Sequence, residues 1–295
     1  MTDLQSYLKE KRLLVDNTLR EIFASFKDIP GILRDSMEYM VFSNGKKIRP
    51  ILAIATCESL GKPADKLLPF ACAIEMIHTY SLIHDDLPSI DNDDLRRGRP
   101  TCHKVFGEAI AVLAGDALLT EAFRVMSDKR FTEMVSPRIV QKIIFEIAHA
   151  AGAEGMVGGQ VVDVIYNGQT GSKAVVNYIH AHKTCALITA SVRVGAMIGG
   201  AKSKELRYLT RYGECVGRAF QIVDDILDYE GDEKVVGKRV RKDKEKQTYI
   251  KHYGLANSKE EVEKLVEEAK RSVQFLGERS EILKELATYI GTRNL

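Results

Sequence analysis

Apolar residues in this chain recur three and four positions apart along nearly its whole length, as in "ILAIATCESL", "LPFACAIEMIHTYSLI", "AIAVLAGDALLTEAFRVM", "IVQKIIFEIAHAAG" and "ITASVRVGAMIGG". That period is helical. Alternation bounded by turn pairs, the mark of a half-buried strand, is hard to find. Several of the runs are apolar on all sides, so they belong inside a large bundle and not on its surface. Breakers fall between the runs: Pro30-Gly31, Gly45, Pro50, Gly61 to Pro63, Pro88, Gly98 to Pro100, Pro137, Gly168 to Gly171, Gly199-Gly200 and Gly231. The reading is an all-α fold of ten or more helices, a single domain over residues 1–295, with no composition shift to mark a linker.

Charge excludes little globally and says much locally. The net charge of +2 over 295 residues gives no general case for nucleic acid or a membrane surface. The amino terminus is charged throughout, and no stretch approaches 18 uninterrupted apolar residues, so an untargeted cytoplasmic protein without membrane insertion is expected. The five cysteines are odd in number, scattered and never in a CxxC pair, which suggests neither a disulfide framework nor a zinc site.

Two apolar runs end in acid. In "FQIVDDILDYE", Asp224 and Asp228 stand at i,i+4 on one helix face, a repelling pair that calls for a cationic partner. In "LIHDDLPSIDNDDLRRGRP", Asp85 and Asp86 end a helix that Pro88 stops or bends, and Asp91 lies beyond the break, able to fold back toward Asp85. A lone acidic string is most often a solvated helix end. Two on similar apolar helices, each followed by bases, are harder to read that way. Arg96 and Arg97 follow the first; Lys238, Arg239, Arg241 and Lys242 follow the second. Oxygen-only ligands suit Mg²⁺ shared with substrate phosphates, and carboxylates beside guanidiniums suit a polyphosphate. Neither a P-loop nor GxGxxG is present, which argues against nucleotide-dependent phosphoryl transfer. His78 lies seven positions before Asp85 on the same helix face, and Gln221 three before Asp224.

These stretches resemble the trans-polyprenyl diphosphate synthases, and among them the bacterial farnesyl diphosphate synthases. "NGKKIRP" is similar to the family's GGKRLRP. "MIHTYSLIHDDLPSIDNDDLRRGRPT" is similar to its first aspartate-rich motif, "GGQVVDV", "HKTCALI" and "FQIVDDILD" to the later ones, and "LATYIGTRNL" to its last helix. The resemblance implies an isoprenoid-synthase-type bundle around a deep central cavity, working as a homodimer. It implies condensation of isopentenyl diphosphate with dimethylallyl or geranyl diphosphate, aided by three Mg²⁺ ions. Asp85, Asp91 and Asp224 would be direct ligands, with Asp86, Asp225 and Asp228 ligating or supporting through water. Arg96, Lys183, Gln221 and Lys238 would hold the allylic diphosphate. The Lys183 carbonyl, the Thr184 hydroxyl and the Gln221 amide would face the allylic cation. Lys46, Arg49, His78 and Arg97 would hold isopentenyl diphosphate. Tyr80, five before Asp85 and bulky, together with the four residues between Asp86 and Asp91, resembles the short-chain bacterial type and implies a C15 product. His84 has no assigned role, and Asp93 and Asp94 read as solvated or structural charge.

One stretch departs from the family. Where the pattern runs GKxxGKDxxxGKxTY, this chain has "GKRVRKDKEKQTY" from Gly237 to Tyr249, with Arg241 for the second glycine, the last GK missing and two fewer residues. A geranylgeranyl diphosphate synthase and a non-catalytic prenyl-diphosphate-binding subunit stand as alternatives. A terpene cyclase would have no use for "GKKIRP" or for paired arginines.

Overall fold

Pro30 and Gly31 open a helix, Pro137 opens another, and Gly199-Gly200 separates two more, as their chemistry dictates. The computed structural model describes residues 3–230 and 246–292. In chain order they form α1 (Leu4–Ala24), α2 (Gly31–Val41), α3 (Ile48–Ser59), α4 (Leu68–Asp85), a hairpin of β1 (Leu95–Arg96) and β2 (Arg99–Pro100), then α5 (Cys102–Phe106), α6 (Glu108–Ser127), α7 (Lys129–Thr132), α8 (Pro137–Ala151), α9 (Met156–Ile165) and α10 (Lys173–Ile179). A π-helical turn, His180–Cys185, joins α10 to α11 (Ala186–Ile198) without a break. After α12 (Ser203–Glu230) come α13 (Tyr249–Tyr253), α14 (Leu255–Ser272), a 3₁₀ segment Gln274–Ser280 and α15 (Glu281–Thr292). The fold is all-α apart from the hairpin, which the sequence reading did not anticipate. Pro50 is also not a break: it sits in the first turn of α3, where its missing N–H has no helical partner to lose.

Two apolar cores flank a pair of helices buried on both sides. α3 gives Ala53, Ile54 and Cys57 to one core and Ile51, Leu52 and Ala55 to the other; α11 gives Leu187 and Val194 to the first and Ile188, Val192 and Ala196 to the second. This is why their sequences are apolar all round. The two meet backbone to backbone at Gly195, where a Cβ would stand 2.2 Å from the Ala53 carbonyl oxygen. α4 is buried without interruption from Pro69 to Ile77 and packs along α6. Each large side chain in that run contributes roughly 1.5–3 kcal/mol by leaving water. All five cysteines are buried and unbridged, as small apolar residues would be. Among the described residues no helix is long and apolar enough to cross a membrane.

Candidate active site

The first acidic segment folds back as Pro88 requires. α4 ends at Asp85, and the chain returns so that Asp91 N–H donates to the Asp85 carbonyl (2.9 Å) and Asp93 N–H to that of Asp86 (3.2 Å). Asp85 and Asp91 both reach the wall of a cavity of about 1080 Å³. Asp86 does not. It is fully buried and accepts from Arg96 Nε at 2.9 Å and from Arg96 Nη2.

The hairpin then separates the two arginines. Arg97 and Gly98 have φ of 54° and 74°, the positive pair that a two-residue type I′ turn needs. Arg96 ends β1 and Arg97 opens the turn, so their side chains leave the chain in different directions. Arg96 accordingly turns to Asp86 and Asp93 (3.4 Å), while Arg97 crosses to the loop before α3 and donates to Ser43 Oγ at 2.9 Å. Gly45 makes that crossing possible, because a Cβ there would lie 2.4 Å from Arg97 Nη1. Although burial works against its charge, Asp86, then Asp85 and Asp93, hold the Arg96 guanidinium above its ordinary value.

α12 supplies another part of the cavity wall. Gln221, Asp224 and Asp228 line the cavity from one helix face. Asp225 also borders it, but its oxygens are engaged: Gln221 Nε2 donates to one at 3.0 Å, and Tyr249 N–H (2.6 Å) and His180 Nε2 (3.2 Å) meet the other. Thr184 Oγ donates to Gln221 Oε1 at 2.6 Å, and Lys183 Nζ reaches Asp163 at 2.6 Å. Lys183 and Thr184 sit on the π-helical turn. Two glycines let neighbouring helices close on that turn. A Cβ on Gly159 of α9 would lie 2.2 Å from Lys183 N, and one on Gly217 of α12 would lie 2.9 Å from Cys185 Cα.

Lys46, Arg49, His78 and Arg97 line a further part of the same cavity. Lys46 and Lys47 divide the work between them. Lys46 is exposed, while Lys47 is buried, donates to the Val41 carbonyl at 2.6 Å and pairs with buried Glu75 at 3.2 Å. Burial, reinforced by Arg49, Arg97, Lys47 and Arg96, drives the His78 imidazole well below its ordinary value, so it faces the cavity neutral. Tyr80 lines the cavity at 7% exposure, edge-on to His84 at 5.7 Å, its phenol pushed up to about 12 by burial and by Asp85. His84 also lines the cavity, rests on Gly115 and meets the Val112 carbonyl at 3.1 Å. Asp94 pairs with Lys104 at 2.9 Å, in keeping with structural charge. Lys238 lies outside the described residues.

Lys246, Asp163 and Gln160 are among the cavity residues that escaped the sequence reading, as is Asp93, read as solvated or structural charge but placed on the cavity wall. Lys246 reaches Asp91 at 3.2 Å, so the lysine of the family's final GKxTY is present in "KQTY" and only its glycine is lost. The signal was its place three before Tyr249. Asp163 holds Lys183, and the Gln160 side-chain amide lines the cavity with neither polar atom hydrogen-bonded among the described residues. Such an orphan marks a place for a ligand.

Burial pushes the Asp85 carboxyl above its ordinary value, Asp91 adding to it and Lys183 and Arg96 opposing. Burial acts the same way on Asp91, but Lys246, Lys183 and Arg96 outweigh it and the carboxyl falls below its ordinary value. Among the described residues no three carboxylate, imidazole or thiol groups converge closely enough to hold a metal by themselves. An all-oxygen set spread over two walls, with Asp91 already drawing an ammonium, fits an ion that keeps waters and shares phosphate oxygens.

A cavity lined by carboxylates of two helices and by several cationic side chains is the setting that a phosphorylated substrate with its metal requires. The chain belongs to the polyprenyl synthetase family, whose model matches residues 30–286, and it is a prenyltransferase of that family. It is 46% identical over 273 residues to a farnesyl diphosphate synthase of Geobacillus stearothermophilus, covering 92% of this chain and 91% of the relative. It is 42% identical over 295 residues to a geranylgeranyl diphosphate synthase of Cyanophora paradoxa, covering 99% and 97%. A solved geranyltransferase of Helicobacter pylori, complexed with magnesium and isoprenyl diphosphate, superposes with a TM-score of 0.85 at 30% identity, covering 98% of this chain and 97% of that one.

Proposed function

We propose that this prenyltransferase joins isopentenyl diphosphate head to tail to dimethylallyl and then geranyl diphosphate, releasing (2E,6E)-farnesyl diphosphate. The observation that carries the reading is one cavity lined by two acidic helices and by two sets of cations, Arg96, Lys183 and Lys246 near Asp85 and Asp91, and Lys46, Arg49 and Arg97 with His78. Two diphosphates can then lie side by side without sharing partners.

Asp85, Asp91, Asp224 and Asp228 would hold magnesium, three ions in this reading, which supplies charge neutralisation for the departing diphosphate. Asp86 and Asp225 are supports: their hydrogen bonds fix Arg96 and Gln221. Arg96, Lys183 and Lys246, with Lys238, bind the allylic diphosphate, and Gln160 turns its amide to the same substrate. When the allylic C–O bond breaks, the cation faces the Lys183 carbonyl, Thr184 Oγ and the Gln221 amide, dipoles too weakly basic to take its proton. Lys46, Arg49, Arg97 and neutral His78 hold isopentenyl diphosphate so that its double bond attacks the cation. The proton then leaves with diphosphate, and no side chain has to serve as general base.

The short product rests on Tyr80, buried in the cavity wall five residues before Asp85 where a growing tail would run. The Cyanophora relative's name favours the C20 alternative, and Tyr80 is the residue that argues against it. The protein acts as a single domain, in the cytoplasm, as a homodimer. The test is incubation with labelled isopentenyl diphosphate, an allylic partner and Mg²⁺. Elongated product that EDTA abolishes supports the reading; no product under any metal condition defeats it.

A further inference from the structure

Gln247, in the stretch where this chain departs most from its family's pattern, is only 4% exposed. Its carboxamide is paired at both ends. Nε2 donates to the carbonyls of Gln169 (2.7 Å) and Tyr166 (3.2 Å), both in the turn joining α9 to α10, and Oε1 lies 3.0 Å from His252 Nε2. Because both Nε2 partners are carbonyl oxygens, the orientation of the amide is settled, and the histidine nitrogen must be the donor. Gly171 leaves the space, since a Cβ there would stand 2.4 Å from Gln247 Oε1.

On either side of this anchor the chain touches both acidic clusters. Lys246 Nζ stands 3.2 Å from each Asp91 oxygen. Tyr249 N–H donates to Asp225 at 2.6 Å, and Asp225 in turn holds the Gln221 amide. A half-buried lysine pair contributes too little to hold a chain segment in place on its own. The buried amide does so, because breaking it would strand polar atoms away from water.

We infer that Gln247 is a positioning residue. Its amide fastens residues 246–249 to the α9–α10 turn, and so delivers Lys246 to Asp91 and the Tyr249 N–H to Asp225. The catalytic consequence rests on the proposed function; the fastening does not. Gln247 thereby does by hydrogen bonding what the family pattern assigns to no side chain at that place.

The experiment uses Gln247→Glu, which keeps the shape but sets carboxylate oxygens against two carbonyls, and Gln247→Ala. Hydrogen exchange in the ligand-free protein reads the fastening. Protection of the Tyr249 amide is expected to drop about tenfold in both variants, the scale of one lost buried hydrogen bond, with α4 amides unchanged. Unchanged protection at Tyr249 overturns the inference. Kinetics read the consequence: the KM for the allylic diphosphate and the Mg²⁺ half-saturation rise together, about fivefold or more, while the KM for isopentenyl diphosphate stays within about twofold. Equal rises in both substrate KM values would mean general loosening and overturn it. If the wild type transfers no prenyl group, the functional reading has failed, and the exchange result still decides the fastening.

Discussion

Gly159→Ala is the sharpest perturbation of the cavity wall that removes no charged group. The new Cβ would lie 2.2 Å from Lys183 N and 2.7 Å from Lys183 Cα, where ordinary contact begins at 3.4 Å, so the backbones must part by about 1.2 Å. Both sides of the contact are main chain, and neither can swing aside. A shift of about 1 Å in groups facing a reacting centre costs about 100-fold, or about 2.7 kcal/mol of activation free energy. Overpacking of this kind also costs about 1–3 kcal/mol of stability, which lowers Tm by several degrees. The expected result is kcat down about two orders of magnitude in a folded protein, with the KM for isopentenyl diphosphate nearly unchanged because Lys46, Arg49 and Arg97 lie on other elements. Steady-state assays beside a thermal melt measure both. A folded variant keeping kcat within about threefold would refute the view that the π-helical turn places the groups facing the cation.

Other outcomes follow from particular contacts. Tyr80→Ala should lengthen the product beyond C15 on chromatography, and unchanged product length would remove Tyr80 from the cavity floor. Gly45→Ala displaces the flexible end of Arg97, so the KM for isopentenyl diphosphate should rise about 10-fold or more, the worth of one charge-assisted bond, with Tm unchanged. His78 is held neutral in the folded protein, its value lowered by burial and by four cations. The unfolded chain therefore binds the extra proton, and His78 lowers stability as pH falls below about 6.5. The acid-side loss of Tm should be shallower in His78→Gln, and an identical slope would contradict the neutral assignment.

Periodicity and breakers made the helices legible, and Pro88 made the return of Asp91 to Asp85 legible too. What could not be read were features set by contacts distant in the chain. "HAHKTC" carries no local mark of a π turn; the turn is embraced by Gly159 and Gly217 from other helices. The hairpin announced itself only through Arg97-Gly98, too short a stretch for strand alternation. The resemblance grouped Asp86, Asp225 and Asp228 as ligating or supporting through water, yet Asp86 and Asp225 turn toward protein donors once their neighbours fold in. Lys246 was hidden by a two-residue shortening that shifted it out of register.

The central claim is a cavity that accepts two diphosphates and stops the chain at fifteen carbons. The most direct test is to give the wild-type protein geranyl diphosphate with excess labelled isopentenyl diphosphate and Mg²⁺, and to chromatograph the dephosphorylated products. A single C15 alcohol that does not lengthen with time is the predicted result. A C20 alcohol, or no labelled product at all, would contradict the account.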